Sequence, residues 1–172
     1  MKQLTFTCDL PRLKAAAIAA GRKDIRFYLN GVCVEVHKGR LLYVATDGYR
    51  MHVVEDECDA IDGHTPPFIV PIKFVLGLKP MGVRSQHAVV SPRLPVLVTV
   101  NNRGLREIAV AQGEGSRITK EVDGKFPDWR CVMLSDTSGL PGQYNPEFLA
   151  AVQRAGELIQ GRKVPILDVN YN

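Results

Sequence analysis

Long apolar stretches are missing from this chain of 172 residues. The longest aliphatic run, the six residues 15–20, falls far short of the roughly 18–20 needed to cross a bilayer, so no membrane span is predicted. The opening Met1-Lys2-Gln3-Leu4-Thr5 leads into no apolar segment with a small-residue cleavage site, so no secretory leader is read and a cytoplasmic location is expected. Close cysteine pairs are missing too. Cys8, Cys33, Cys58 and Cys131 are spread along the chain, which excludes a local zinc ribbon or Cys-x-x-Cys couple and favours buried, inert thiols. His37, His52, His64 and His87 are equally scattered, so no metal site is predicted, and His52, between Met51 and Val53, reads as the solvent face of a strand. Catalytic signatures fail as well. There is no Gly-x-Ser-x-Gly elbow, no phosphate-binding Gly-x-x-x-x-Gly-Lys loop and no Gly-x-Gly-x-x-Gly fingerprint, so neither an enzyme nor a cofactor is expected. Gly113-Glu114-Gly115 reads as a hairpin turn, and the acidic run from Glu55 to Asp62 reads as a solvated loop without calcium-loop spacing.

What is present is the composition of a globular protein, with 45% hydrophobic and 23% charged residues, which excludes disorder. Three times a short apolar strand runs into a helix. Leu4-Thr5-Phe6-Thr7-Cys8 precedes Asp9 as N-cap and Pro11 in the first turn, with the helix continuing past Ala17 and Ala20 to a left-handed stop at Gly21. Phe68-Ile69-Val70 and Pro71 precede a short helix from Ile72 to Leu78, closed by Pro80 and Gly82. After the Gly139-Leu140-Pro141-Gly142 turn, Asn145 caps a helix with Pro146 in its first position and Phe148, Val152, Ala155 and Ile159 as its apolar stripe.

Between the helices the pattern is antiparallel strand. Residues 27–36 alternate around Asn30-Gly31, and Leu41, Tyr43 and Ala45 share a face before an Asp47-Gly48 hairpin signal. Ala88-Val89-Val90 and residues 96–100, 106–111 and 116–122 form a further group, with Pro92 and Pro95 at bends or edges. The strand–helix–strands unit therefore occurs twice, with starts about 65 residues apart, and a third copy begins near residue 140. The fold class is α+β.

Charge is sorted despite a net of only +4, from 22 Lys+Arg against 18 Asp+Glu. Arg12, Lys14, Arg22 and Lys23 accompany the first helix, Lys73, Lys79 and Arg84 the second, and Arg154, Arg162 and Lys163 the third. Cations near helix C-termini complement the helix dipole. The same bases on one shared face would meet a phosphate backbone without sequence preference. Both readings stand on the residues alone.

Two regions carry a resemblance. Asp24-Ile25-Arg26-Phe27-Tyr28-Leu29-Asn30-Gly31 is followed by Val44-Ala45-Thr46-Asp47-Gly48-Tyr49-Arg50-Met51, and later by Val122-Asp123-Gly124-Lys125-Phe126-Pro127-Asp128-Trp129-Arg130. In order and separation these resemble the middle domain of the bacterial sliding clamp, the beta subunit of DNA polymerase III, over roughly residues 3–132. Tyr49 stands where the family commonly has histidine, and Cys131 where it has a second arginine. The resemblance implies a duplicated DNA-clamp fold, helices on one face of antiparallel sheets, over residues 1–134 in two repeats (about 1–65 and 66–134), with residues 135–172 the partial start of a further repeat.

The resemblance also implies a non-catalytic processivity factor of DNA replication, a homo-oligomeric ring around non-specifically bound duplex DNA. Arg12, Lys14, Arg22, Lys23, Lys73, Lys79 and Arg154 would line the pore. Leu29, Thr46, Gly48, Tyr49, Arg50, Met51, Pro127 and Val132 would form one wall of a cleft for the peptides of DNA polymerase or other partners. Family members are substantially longer and usually acidic, and the opposite wall of that cleft belongs to a domain missing here. The alternative is a clamp mimic or regulator that binds such peptides, or a host clamp, without encircling DNA.

Overall fold

Strand β1 (Gln3–Asp9), helix α1 (Leu10–Ala17) and strands β2 (Gly31–His37), β3 (Arg40–Thr46) and β4 (Met51–Glu57) are followed by the same order again. The second set is β5 (Phe68–Pro71), α2 (Ile72–Gly77), β6 (Arg93–Val100), β7 (Arg106–Gln112) and β8 (Gly115–Lys120), and helix α3 (Pro146–Gln160) comes last. These elements come from a computed structural model that describes residues 3–60, 66–80, 93–101, 104–133 and 145–163. Arg84, Asp62, His64, His87, Gly82, Pro92, the strand at Ala88-Val89-Val90 and the turn at Gly139-Leu140-Pro141-Gly142 lie outside the described residues. All strand pairs are antiparallel and form two sheets, ordered β1-β6-β7-β8 and β5-β2-β3-β4. Each leading strand sits in the sheet built by the other set, so the sheets are related by exchange. The α+β class is confirmed, and the strand–helix–strands order recurs as read.

Local chemistry explains most boundaries. The Asp9 carboxylate accepts the Arg12 N–H at 3.0 Å at the start of α1, where Pro11 needs no partner for its missing N–H. Beyond Ala17 the chain tightens into i→i+3 bonds, ending with Ala20 N–H to the Ala17 carbonyl. Gly21 is not a left-handed cap; its N–H donates to the Leu29 carbonyl at 2.9 Å, and the left-handed residue is Lys23, with φ 59°. Asn30-Gly31 is likewise not mid-strand. Phe27–Leu29 forms a 3-10 turn, and the Asn30 amide spans the loop by accepting from Asp24 N–H and donating to the Asp24 carbonyl, so β2 starts at Gly31. There the chain runs so close to β5 that a Cβ would meet Ile69 Cγ2 at 2.5 Å.

The tight hairpins sit elsewhere than Asp47-Gly48. Lys38-Gly39, both at positive φ, joins β2 to β3, and Gly113-Glu114 joins β7 to β8. Residues 47–50 instead make a four-residue loop between β3 and β4, with Gly48 at φ 92°. Pro95 lies inside β6 opposite Thr7 of β1, at a register where β7 has no partner residue, so its missing N–H breaks no ladder bond to β7.

Strand alternation sorts the second sheet's side chains cleanly. Val32, Val34, Leu41, Tyr43, Ala45, Val54, Phe68 and Val70 face α1, α2 and the first sheet in the main core. Cys33, Leu42, Val44 and Ile69 face the other way, into a smaller cluster closed by Leu29 and Phe126 and flanked by Tyr28, Met51, Val53, Val122 and Trp129. His52 belongs to the inner face and is only 8% exposed, its Nδ1 3.0 Å from the Ala15 carbonyl, so it is not a solvent-facing strand residue. The run Glu55, Asp56 and Glu57 is part of β4 rather than a loop. Asp56 is 2% exposed and accepts from Asp9 N–H, the Tyr43 hydroxyl, Glu57 N–H and Arg93, while Asp59 accepts the Thr7 N–H and hydroxyl. These acids bind the two sheets together, Asp56 through Asp9 and Arg93 and Asp59 through Thr7. The Asp56 carboxylate satisfies buried donors instead of solvating a loop, while Asp59 makes its bonds to Thr7 at the surface.

Helix α3 begins as read, with the Asn145 side-chain Oδ1 accepting Glu147 N–H and Pro146 in the first turn, and it ends at a left-handed Gly161. It packs beside α1, which also touches α2. Its packed face is rotated from the expected stripe. Ala151 and Ala155 are buried, whereas Val152 and Ile159 are exposed, because the small alanines let α3 approach α1 most closely.

Candidate functional site

The outward face of the second sheet is only partly covered. The 3-10 turn Phe27–Leu29, the loop at 47–50, the start of β4 and the segment from Pro127 to Val132 surround a cavity of about 420 Å³. Its lining contains all eight residues expected in a peptide cleft: Leu29, Thr46, Gly48, Tyr49, Arg50, Met51, Pro127 and Val132. Sequence reasoning did not name Arg26, Tyr28, Asp128 and Trp129, which also line it. The signal for them was present, since each lies inside a motif already singled out. The cavity opens on the face opposite α1, a direct result of the period-two sorting of β2, β3 and β4.

The loop at 47–50 is held by its own side chains. The Thr46 hydroxyl donates to the Arg50 carbonyl at 2.7 Å and accepts Gly48 N–H, while Asp47 Oδ1 accepts Tyr49 N–H and Arg50 N–H. Arg50 Nε donates to Asp47 Oδ2 at 3.0 Å, and its guanidinium lies 5.2 Å from the centre of the Phe148 ring on α3. Gly48 permits close approach on one side, because a Cβ there would meet the Arg26 guanidinium at 2.9 Å. That guanidinium donates to both Asp24 oxygens and to the Asp47 carbonyl, and the pairing holds the Asp24 carboxyl down at about 2.

On the opposite side Asp128 caps the turn Trp129–Val132, and Arg130 reaches Glu35 of β2 with two bonds, at 2.9 and 3.1 Å, while lying 4.2 Å from the Trp129 ring. The result is a pre-formed depression with exposed Tyr49 and Val132 at its mouth and no free acid at its floor. It suits short apolar side chains from a partner, with arginine N–H groups at its rim for backbone or carboxylate oxygens.

The cysteines divide. Cys8 and Cys33 are buried as expected, and burial pushes both thiols up to about 12. Cys58 is half-buried and Cys131 is exposed, departing from the buried reading; Cys131 Sγ donates to Asp128, which raises its pKa. Among the described residues no group of three or more His, Cys, Asp or Glu could hold a metal ion, and no helix is long and apolar enough to cross a membrane.

The seven expected DNA-facing bases do not share one environment. Arg22, Lys23, Lys73, Lys79 and Arg154 are exposed. Lys14 instead donates its ammonium to the Leu78 carbonyl at 2.7 Å at the end of α2, and partial burial lowers its pKa. Arg12 donates to the Glu55 carbonyl and lies 4.0 Å from Asp56. Arg12 therefore also ties α1 to β4, and Lys14 ties it to α2.

The family described as DNA polymerase III beta subunit, central domain, matches residues 11–128, well over half of the chain. The chain belongs to that family. The beta sliding clamp of Vibrio cholerae is 32% identical over 160 residues, covering 91% of this chain and 41% of that protein. The beta sliding clamp of Pseudomonas aeruginosa is 33% identical over 117 residues, 68% of this chain and 29% of that protein. A crystal structure of the DNA polymerase III subunit beta from Pseudomonas aeruginosa superposes with a TM-score of 0.61 at 28% identity, covering 78% of this chain and 35% of that one. The chain thus spans well under half the length of the sliding clamps it matches. The clamp-family match includes the cavity residues from Arg26 to Asp128 and stops just short of Trp129 and Val132, while Arg154 lies beyond it.

Proposed function

We propose that this chain is a non-catalytic, clamp-type DNA replication factor that docks partner peptides in its outer cavity and contacts duplex DNA non-specifically through its helix-bearing face. In this reading residues 1–134 form one clamp domain of two repeats, about 1–65 and 66–134, and residues 135–172 open a further one. The observation that carries it is the opposition of the two faces. Strand alternation places the cavity on the side of the sheet away from α1, so peptide and DNA would not compete for one surface. Peptide docking would use Leu29 and Met51 as apolar floor, Tyr49, Pro127 and Val132 as rim, and Arg50 as donor to an oxygen of the peptide. DNA contact would fall to Arg22, Lys23, Lys73, Lys79 and Arg154, which are free to reach phosphates. Self-association through strand edges would supply the rest of a ring, and retention on DNA would then come from topology rather than tight binding.

The test has two arms. A fluorescein-labelled pentapeptide rich in leucine and phenylalanine should bind the full chain, and Val132→Glu should weaken it about tenfold or more, since it removes roughly 1.5–3 kcal/mol of apolar burial at the rim. Exchanging Arg22, Lys23, Lys73 and Lys79 together for Glu should abolish salt-sensitive retention of duplex DNA and leave peptide affinity unchanged. Absence of peptide binding at millimolar concentration, or unchanged DNA retention in the fourfold variant, would refute the corresponding half.

A further inference from the structure

Arg50 is a cavity residue held from outside the cavity, in part by a helix that the cavity does not include. Its guanidinium is gripped between Asp47, which accepts its Nε–H at 3.0 Å, and the Phe148 ring of α3 at 5.2 Å. An arginine has many rotamers and loses that freedom when it docks a ligand, so a partner that fixes it beforehand improves binding without touching the ligand. Asp47 and Phe148 together leave the two terminal amino groups without a hydrogen bond to any described residue. A second feature lies beside it. Met51, next in sequence, lines both the main cavity and a smaller one of about 250 Å³ whose other wall is Val152 and Ala155 of α3. Of two consecutive cavity residues, Arg50 therefore touches α3 and Met51 faces it across the smaller cavity, although α3 does not itself line the main cavity.

We infer that α3 is part of the docking apparatus, with Phe148 a positioning residue that holds Arg50 ready to donate to a carbonyl or carboxylate oxygen of a bound peptide. The inference rests on the reading of the cavity as a peptide site. It gives residues 145–163 a role at that site beyond forming the start of another repeat, and it makes peptide affinity sensitive to how α3 is seated.

The experiment is a double-substitution cycle on the full chain, read by binding of the fluorescein-labelled leucine- and phenylalanine-rich pentapeptide. Phe148→Leu should weaken binding about two- to fivefold, the range of a partly exposed cation–π contact. Phe148→Tyr, which keeps the ring face, should restore it. In an Arg50→Met background Phe148→Leu should change nothing further, because the route through Arg50 is already cut. A readout without peptide accompanies these. The NMR signal of the Arg50 Nε–H group should move in Phe148→Leu, which removes the ring current, and stay in place in Phe148→Tyr. Equal losses from Phe148→Leu in both backgrounds, or an Arg50 signal indifferent to Phe148, would overturn the inference. A chain that shifts the Arg50 signal but binds no peptide would overturn the docking role of Phe148 along with the reading of the cavity, while leaving the contact itself established.

Discussion

Replacing Asp56 by alanine should be among the most damaging single changes in the molecule. Its two oxygens receive the Asp9 N–H at 2.9 Å, the Tyr43 hydroxyl at 3.0 Å, the Glu57 N–H at 2.8 Å and an Arg93 N–H at 3.0 Å. Tyr43 is fully buried and Asp9 nearly so, so neither donor recovers water when the carboxylate is removed. Each orphaned donor costs about 1–3 kcal/mol. The Arg93 side chain is 32% exposed and rehydrates in part, which discounts its share. The expected loss is about 3–5 kcal/mol, in the range for removing one partner of a buried charge pair. Asp56→Asn should cost less, about 1–2 kcal/mol, because its amide oxygen still accepts from Asp9 and Tyr43 while its NH2 opposes Arg93. Urea unfolding followed by tryptophan fluorescence measures both, with the midpoint shifting and the slope unchanged. An alanine variant within about 1 kcal/mol of the parent, where ordinary surface changes fall, would refute the account of Asp56 as the anchor between the two sheets.

Gly48→Ala forces a side chain onto φ 92° and against Arg26, so it should destabilise by about 1–2 kcal/mol and weaken peptide docking, read by thermal melting and fluorescence polarisation. The Asp24 carboxyl is depressed to about 2 by its bonds from Arg26, so its stabilising contribution is fully present above the ordinary carboxylate range near 4 and is lost as pH falls toward about 2. Carbon-13 titration should show this low midpoint, and Arg26→Met should raise it toward the ordinary range but not all the way, because the backbone N–H of residue 26 still donates to Asp24 Oδ1. At pH 8 in the folded state a disulfide reagent should modify exposed Cys131 first and half-buried Cys58 more slowly. Cys8 and Cys33, buried with thiols near 12, should react only on unfolding; early modification of either would contradict their place in the core.

What the sequence made legible, and what it hid, divides along a physical line. Signals carried by neighbouring residues survived: Asn145-Pro146 at a helix start, Asp9 at another, Gly113-Glu114 in a hairpin, and the Leu41, Tyr43 and Ala45 face. Signals set by distant partners did not. Gly21 bonds to Leu29 and His52 to Ala15, and Asp56 draws donors from β1, β3 and β6, none of which a window of eight residues contains. Lys38-Gly39 escaped notice because lysine is a rare choice for positive φ, so the chemically favoured Asp47-Gly48 drew attention instead. The cavity was legible only as motifs. That Leu29, Met51 and Val132 meet follows from the registers of β2, β3 and β4, and no local pattern specifies those.

The exchange of β1 and β5 between the sheets makes the two halves mutually dependent. A fragment carrying only the first set would expose the flank of β2 where β5 belongs and would carry β1 with no neighbour, and the second set would have the converse defect. Neither piece could fold alone, yet each offers the strand its counterpart lacks, so two separately made pieces should complement one another when mixed. Two copies of a single half could close in the same manner, each lending its leading strand to the other's sheet.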